Sequence, residues 1–499
     1  MPEPDLGLLH EWLRHSAMRT PDAIAIVEEQ RETSFAQLFA QAQSLAHQFR
    51  AQGIQPQDRI VLALPKNSDA IIAVFASLLT GAIYVPIDPR WPPERLDAVV
   101  SECGARLLIV GSDSPPRITD LRTGANIAWP STTTQVDDSA PLPKMKTEDT
   151  ALILFTSGST GRPKGVELSH RAVSAFVRWT ADQFHIAPGD RIASPSPLGF
   201  DLSTFDLFNM ALCGATAVLV PDHIVWMPRF LAQFVRESRI SCWYSVPSIL
   251  AGMLQRGRMA EHSYPDLRLI LFAGEVFPAL TLVRLQAAVP NALYANLYGP
   301  TETNVVTWCR VPAAFDGSQP LPIGHACPYA TVRIDETNGE LLAGGDSLMR
   351  GYWNRPDETN DRIITLDGVR YFRTGDRVSK ARDGSYRFIG RLDRQIKRRG
   401  FRIEPGEIEA VLLSHGDILE AAVVAIEDEH RGVIIAAFVH PTASGAVTLA
   451  DLKAHCGRRL PSYMLPDRIL FLDAIAKGSR GKVDTFALRK IAEGLNCGD

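Results

Sequence analysis

The sequence predicts an α/β protein: a large N-terminal domain of helix-covered, mostly parallel sheets, followed by a small α+β domain. Two observations predict this fold class. Short apolar runs recur along the first part of the chain and are continuous rather than alternating, which is typical of strands buried on both faces. Stretches with helical periodicity separate these runs, and this order favours parallel sheets that bind ligands at the strand ends.

The first elements can be predicted individually. Apolar residues recur at helical spacing over residues 35–49, with Ser34 and Gln37 as a possible capping box and Gly53 as the stop. Residues 111–143 are rich in Ser, Thr, Asp and Pro, and predict a surface loop. Buried strands are predicted at residues 60–64, 107–110, 151–155, 217–220 and 269–272.

The residue pattern changes after Asp376: turns are predicted around Gly384 and Gly390, and a basic segment follows at residues 397–400. We therefore predict two domains, 1–391 and 392–499. In the second we expect helices near residues 407–413 and 449–456, and strands near 421–424 and 433–439.

Composition and charge exclude several classes of protein. The 499 residues carry a net charge of −4 with both signs mixed along the chain, so a nucleic-acid partner is not expected. The seven cysteines include no close pair typical of zinc or redox sites, which favours a reducing compartment. The N-terminus lacks a secretion signal and residues 71–87 are too interrupted to span a bilayer, so we expect a cytoplasmic protein without a membrane segment.

A glycine- and hydroxyl-rich loop follows directly on the predicted strand at 151–155. Its glycines allow a close backbone approach to an anion, its hydroxyls add donors, and Lys164 with Arg162 supplies positive charge. It differs from the Walker A pattern, because no Ser or Thr follows Lys164. The loop reads Thr156, Ser157, Gly158, Ser159, Thr160, Gly161, Arg162, Pro163, Lys164 and Gly165.

This loop resembles the signature of the adenylate-forming (ANL) superfamily, which includes acyl-CoA synthetases, luciferases and the adenylation domains of nonribosomal peptide synthesis. Further blocks follow in the family's order over nearly the whole chain. They are Ala273-Gly274-Glu275, Asn296 to Thr303, Gly351-Tyr352-Trp353, Tyr371 to Asp376, Gly390 to Asp393, Arg399 to Glu407 and Gly481 to Asp484.

The resemblance implies a nucleotide site for ATP. Tyr298 offers a flat face for adenine, Asn296 an amide for its edge, and Asp376 a carboxylate for the ribose hydroxyls. The nucleotide-binding residues implied are Thr156, Ser157, Gly158, Ser159, Thr160, Gly161, Lys164, Gly274, Glu275, Asn296, Tyr298, Gly299, Asp376 and Arg391.

The resemblance also implies the catalytic residues. Glu302, beside Thr301, would hold Mg²⁺ together with phosphate oxygens. Lys482 would stabilise the charge that builds up when a carboxylate attacks the α-phosphorus of ATP. In relatives the small domain is a mobile lid that rotates about a hinge residue, here Asp393, between adenylation and thioester formation.

The substrate implied is an amino acid. Asp201, in the run Phe200 to Ser203, matches the aspartate that holds the substrate ammonium in amino-acid-activating members; the alternative is an Asp that caps a helix over residues 203–210. The pocket positions carried over from the family are mostly apolar: Asp201, Leu202, Phe205, Tyr244, Leu271, Ala273, Leu297, Val305, Val306 and Lys482, with Phe200 beside them.

This pocket set resembles that of free-standing enzymes that load L-proline onto a carrier protein, with Val306 in place of a cysteine. Because the sequence ends soon after Lys482, we expect the thiol acceptor to be the phosphopantetheine arm of a separate carrier protein, with coenzyme A as second choice. The alternatives are a D-alanine or other small-amino-acid carrier-protein ligase, an acyl-CoA synthetase, and a catalytically inactive relative kept as a binding module.

Overall fold

The computed structural model describes residues 7–111, 115–130, 143–158, 162–428, 432–442, 447–477 and 483–494. The chain forms two compact units. The first consists of Met1–Pro89, Glu102–Leu154 and Gly165–Gly390; the second consists of Arg391–Asp499 with Arg90–Ser101 and Phe155–Lys164. The predicted domain limits, 1–391 and 392–499, and the mobility of the smaller domain stay predictions.

The fold is α/β, as predicted. Its helices are α1 (Leu9–Arg19), α2 (Phe35–Ala51), α3 (Ser68–Leu79), α4 (Pro93–Cys103), α5 (His170–Phe184), α6 (Ser203–Cys213), α7 (Pro228–Glu237), α8 (Pro247–Gln255), α9 (Ala279–Ala288), α10 (Pro356–Arg362), α11 (Pro405–Leu413), α12 (Leu449–Gly457) and α13 (Thr485–Gly494).

The strands of the first half are β1 (Ile24–Glu28), β2 (Arg31–Ser34), β3 (Arg59–Ala63), β4 (Ile83–Pro86), β5 (Leu107–Val110), β6 (Arg117–Asp120), β7 (Asn126–Ile127), β8 (Thr150–Thr156), β9 (Lys164–Ser169), β10 (Arg191–Ser194), β11 (Thr216–Leu219), β12 (Cys242–Ser245), β13 (Leu269–Ala273) and β14 (Leu293–Tyr298). Those that follow are β15 (Thr307–Arg310), β16 (His325–Ala326), β17 (Ala330–Asp335), β18 (Glu340–Gly345), β19 (Gly351–Tyr352), β20 (Ile363–Leu366), β21 (Val369–Lys380), β22 (Tyr386–Arg391), β23 (Ile396–Arg398), β24 (Phe401–Ile403), β25 (Ile418–Asp428), β26 (Gly432–Pro441) and β27 (Arg468–Phe471).

Two large sheets contain the predicted buried strands. A nine-stranded sheet has the order β16-β15-β14-β13-β12-β10-β11-β1-β2, and an eight-stranded sheet the order β19-β9-β8-β4-β3-β5-β6-β7. In the first sheet the consecutive strands β14-β13-β12-β10-β11-β1 are parallel. In the second sheet the neighbours among β8, β4, β3 and β5 are parallel. All five apolar runs are strands, which confirms that part of the prediction.

Helix α2 begins where the sequence predicts. Ser34 accepts a hydrogen bond from the Gln37 amide and the Gln37 side chain accepts one from the Ser34 amide, so the capping box is formed. The chain leaves the helix through Gly53, whose φ of +77° suits a residue without Cβ.

Helix α3 is buried at all twelve of its residues. It contributes to the largest apolar cluster, which also contains residues of both large sheets. A helix that is apolar on all sides requires such an interior position. The most apolar stretch of the sequence is therefore a core helix followed by β4, and within the described residues no helix has the length and apolar character needed to cross a membrane.

The predicted loop at 111–143 is partly wrong. Strands β6 and β7 form within it, antiparallel to β5 and to each other, and extend the edge of the eight-stranded sheet. These short strands contain many polar residues, because an edge strand needs only one buried face. Their sequence therefore did not predict a strand. Residues 112–114 and 131–142 lie outside the described residues.

The elements predicted in the smaller region are confirmed. Helices α11 and α12 and strands β25 and β26 fall on the predicted segments. Strand β26 pairs antiparallel with β25 and parallel with β27, and α11, α12 and this sheet share one apolar cluster.

Candidate active site

One face of three neighbouring parallel strands gathers most of the predicted substrate residues. In register, Tyr244 of β12 lies beside Leu271 of β13, and Ala273 of β13 lies beside Leu297 of β14. Side chains two apart on a strand share a face, and partners in parallel register do too. All four belong to the largest apolar cluster, with Phe205 and Val305. The sequence thus builds one continuous apolar wall.

Two aromatic rings stand at this wall. Phe205, in the first turn of α6, contacts Tyr244 edge to face, with ring centroids 5.4 Å apart and planes at 74°. Their exposed fractions are 0% and 2%. Such close-packed rings resist displacement, so they set a fixed limit to the space beside them.

Asp201 precedes helix α6 but does not cap it. The N-cap residue is Leu202, and no side chain makes the cap hydrogen bond. Burial raises the pKa of Asp201 to about 6, with a further rise from the nearby Glu302, while a hydrogen bond from the Thr301 side chain favours the charged form. A carboxylate in such surroundings gains from a cationic partner.

The two predicted valines lie in different clusters. Val305 packs with the wall that contains Phe205, whereas Val306 packs with Tyr298, Ile323 and Leu341. The Val306 amide donates to the Tyr298 carbonyl at 2.8 Å. Of the other two predicted residues, Leu202 packs against the larger cluster, and the Phe200 amide donates to the Pro197 carbonyl at 3.0 Å.

The opposite face of β14 carries the predicted nucleotide residues. Asn296 and Tyr298 alternate with Leu297, so they point away from the apolar wall. The Tyr298 hydroxyl donates to Asp376 Oδ2 at 2.5 Å, and Asn296 Nδ2 donates to the Pro322 carbonyl at 3.0 Å. The structure therefore brings the predicted adenine and ribose residues together.

Two glycines and a glutamate complete this region. A Cβ on Gly299 would stand 1.6 Å from the Asn304 carbonyl oxygen, so only glycine fits there. Gly274 has a φ of +90°. Glu275 accepts a hydrogen bond from the Ser248 amide at 3.1 Å.

Glu302 is the predicted magnesium ligand. It is fully buried, and the Tyr352 hydroxyl donates to its Oε1 at 2.7 Å. Within the described ranges no group of three His, Cys, Asp or Glu side chains could hold a metal. A single oriented carboxylate fits Mg²⁺ that takes its remaining oxygens from phosphates and water, which is the usual arrangement for this ion.

The remaining predicted residues belong to the second unit. Ser157, which follows Thr156 in the chain, donates from its Oγ to the Arg402 carbonyl at 2.7 Å. The Gly158 amide donates to Glu407 at 3.3 Å, and a Cβ on Gly158 would meet the Arg162 carbonyl oxygen at 2.0 Å. Lys164 is buried at the start of β9.

The predicted hinge residue is paired with its neighbour. Arg391 binds Asp393 through two parallel hydrogen bonds, of 2.8 Å from Nε and 2.5 Å from a terminal nitrogen. Four predicted site residues lie outside the described residues: Ser159, Thr160, Gly161 and Lys482.

Sequence reasoning missed the part played by Tyr352 and by two charged residues that influence each other, Lys66 and Asp206. Tyr352 stands in the block Gly351-Tyr352-Trp353, so the sequence does mark its position. Lys66 and Asp206 are far apart in sequence and belong to no recognised block, so only the folded structure connects them.

Comparison with known proteins agrees with this geometry. The AMP-binding enzyme family matches residues 13–353, and the AMP-binding enzyme C-terminal domain matches residues 407–482. An L-proline–[L-prolyl-carrier protein] ligase of Pseudomonas fluorescens is 38% identical, covering 98% of this chain and 100% of that protein. One of Streptomyces coelicolor is 35% identical, covering 90% of each.

A solved structure is similar as well. The Vibrio cholerae adenylation domain AlmE, in complex with glycyl-adenosine-5'-phosphate, superimposes with a TM-score of 0.82 at 25% identity, covering 97% of this chain and 98% of that one.

Proposed function

Since this chain belongs to the AMP-binding enzymes of the adenylate-forming superfamily and is an amino-acid-activating ligase that uses ATP, we propose that its substrate is L-proline. We further propose that its acceptor is the phosphopantetheine thiol of a separate carrier protein. The two similar carrier-protein ligases, alike over nearly their whole length, support both parts.

The observation that carries the substrate proposal is the position of Asp201 next to an apolar wall. Its carboxylate can pair with the substrate ammonium, and that pairing offsets the cost of burying the charge. The packed rings of Phe205 and Tyr244 stand at this wall and would limit the size of the side chain that it accepts, which favours a compact apolar one. A charged side chain would find no ion-pair partner among the strand residues of this wall, since these are apolar apart from the Tyr244 hydroxyl.

The reaction proposed has two steps. The proline carboxylate attacks the α-phosphorus of ATP, an O–P bond forms, and pyrophosphate leaves. The carrier thiol then attacks the acyl carbon of prolyl-AMP, a C–S bond forms, and AMP leaves with the thiol proton passed to solvent.

Each residue proposed for the first step has a distinct part. Asp376 and Tyr298 hold ribose and adenine, and Thr301 and Glu302 stand beside the reacting groups. Glu302 would hold Mg²⁺, which when bound offsets the charge of the phosphate oxygens. Lys482 would bridge the substrate carboxylate and the α-phosphate. The smaller domain would rotate about Asp393 before the second step.

A panel of amino acids in ATP–pyrophosphate exchange tests the substrate. We expect L-proline to give the highest kcat/KM, alanine and glycine to be weaker by roughly 10–200-fold because they leave apolar surface uncovered, and phenylalanine and glutamate to be inactive. A clear preference for alanine, glycine or serine over proline would disprove the proline assignment while leaving amino-acid activation intact.

The acceptor is tested separately. Purified enzyme, ATP and proline are mixed with a prolyl carrier protein in its phosphopantetheine-loaded form, and the acyl-carrier mass is measured. The unloaded carrier, which lacks the thiol, is the matched control. Transfer to coenzyme A at an equal or higher rate would contradict the carrier proposal.

A further inference from the structure

The turn that carries Asp201 connects β10 to α6. Its second half is fixed by local hydrogen bonds: Ser203 Oγ donates to the Phe200 carbonyl at 2.6 Å, and the Phe200 amide donates to the Pro197 carbonyl at 3.0 Å. Its first half contains Pro195 and Pro197, which have no amide hydrogen to donate. Of the carbonyls in this half, that of Pro197 accepts within the turn, whereas that of Ser194 accepts from the Val220 amide at 3.2 Å.

Lys66 supplies a donor for two of these carbonyls. Its ammonium donates to the carbonyl of Ser194 and, at 3.3 Å, to that of Ser196. Lys66 follows β3 of the eight-stranded sheet, whereas Ser194 ends β10 of the nine-stranded sheet. One cation thus ties the substrate turn to the opposite sheet of the same unit.

The turn that bears Lys66 is itself held firmly. Asn67 caps α3 by accepting from the Ala70 amide at 2.9 Å. The Ser68 amide donates to Glu28 Oε2, at the end of β1, at 3.0 Å. Because both following residues are fixed, the backbone from which the Lys66 side chain extends towards the Ser194 and Ser196 carbonyls is held in place.

Asp206 provides the opposite charge. It lies in α6 one turn beyond Leu202, is 2% exposed, and its Oδ2 has no hydrogen-bond partner. Burial raises the pKa of Asp206 to about 8, and the charge of Lys66 and a hydrogen bond from Ser194 oppose this rise. Burial likewise lowers the pKa of Lys66 to about 8, against the charges of Asp206 and Asp222. Burial therefore favours the neutral form of each group, and the charge of each partly opposes that shift in the other.

We propose that Lys66 is a positioning residue for amino-acid recognition, which sets the location of the Asp201 carboxylate by holding the Ser194 and Ser196 carbonyls. Asp206 supports this role by stabilising the Lys66 cation. The inference rests on the proposed function, because it assigns to Asp201 the substrate ammonium. The proposed nucleotide residues Asn296 and Asp376 lie on other strands, so loss of the Lys66 cation should leave the Michaelis constant for ATP unchanged.

The test is pyrophosphate exchange with Lys66→Met, which removes the cation and keeps the length of the side chain. We expect the KM for proline to rise by about 10-fold or more, since small misplacements of a binding group have effects of this size, and the KM for ATP to change by less than about twofold. Lys66→Arg, which can still donate to both carbonyls, should recover most of the affinity for proline. Lys144→Met, at an exposed lysine of the same unit, is the matched control.

The outcomes distinguish failure of the positioning role of Lys66 from failure of the proline assignment. Equal rises in both KM values, or a loss confined to kcat, would overturn the positioning role. If Lys66→Met does not fold, the double variant Lys66→Met with Asp206→Asn replaces it, because it removes both charges together. In the double variant we again expect the KM for proline to rise and the KM for ATP to stay unchanged. A wild-type KM for the amino acid in that variant overturns the inference. If the wild type prefers another amino acid, the proline assignment fails and the comparison is made with that amino acid. Absence of exchange with any amino acid overturns both.

Discussion

The two faces of β14 differ in the kind of contact that each can offer to a ligand. The face with Asn296 and Tyr298 is polar and tied to Asp376, whereas the face with Leu297 joins an apolar wall that reaches Phe205 and Tyr244. Hydrogen bonds of fixed geometry define the first face, and shape with a single carboxylate defines the second. If the first face binds the nucleotide as proposed, it is suited to one ligand, while exchange of a few apolar residues on the second face would change the amino acid that is accepted.

The largest effect should follow from removal of the charge on the apolar side. Asp201→Asn keeps the size of the side chain but leaves the substrate ammonium without a counter-charge, so we expect kcat/KM for proline to fall by on the order of 2–5 kcal/mol in transition-state free energy. Pyrophosphate exchange measures this, and the KM for ATP should be unchanged. A matching loss of ATP affinity would show that the two faces are not independent.

A smaller effect should follow from filling space on the same wall. Ala273→Val adds two methyl groups beside Leu297, and overpacking typically costs ~1–3 kcal/mol. We expect proline exchange to weaken by that amount and the preference to move towards glycine or alanine. Unchanged selectivity in the amino-acid panel would place the substrate elsewhere.

Lowering the pH should reduce the activity with proline before it affects the binding of ATP. Since the pKa of Asp201 in the free enzyme is about 6, its carboxylate becomes neutral below that pH and cannot pair with an ammonium. We expect kcat/KM for proline to fall by about tenfold for each pH unit below 6 and to level off above it. In Asp201→Asn this acid limb should be absent, which identifies the titrating group.

The smallest effect should come from one hydrogen bond on the nucleotide side. Tyr298→Phe keeps the ring but removes the donor to Asp376, so the KM for ATP should rise by the equivalent of ~0.5–1.5 kcal/mol. The KM for proline should stay as in the wild type, which is the converse of the Asp201 result. A change in proline affinity alone would reverse the assignment of the two faces.

Much of this site was predictable because it lies in ordered motifs. The block Asn296 to Glu302 identified residues of both faces, and strand alternation explains why Leu297 and Tyr298 point in opposite directions. The buried strands were predictable because their apolar runs are continuous. Helix α2 was predictable from Ser34 and Gln37, whose side chains act within a few residues.

What escaped prediction depends on contacts between distant segments. Lys66 reaches Ser194 across more than a hundred residues, and nothing in either local sequence indicates the contact. The division of Val305 and Val306 between two clusters depends on how the chain turns after Gly299, which the pocket pattern does not contain. Strands β6 and β7 lie at a sheet edge, where polar residues are tolerated.

The complete burial of helix α3 has a consequence for handling the protein. The helix packs against α1, α2 and strands β3 and β4 of the eight-stranded sheet within the largest apolar cluster, so even partial unfolding of the first unit exposes a continuous apolar segment. Exposed segments of this kind associate faster than a chain of this size refolds. Heating should therefore end in precipitation rather than a reversible transition, and shelf life will depend on the rate of opening more than on equilibrium stability.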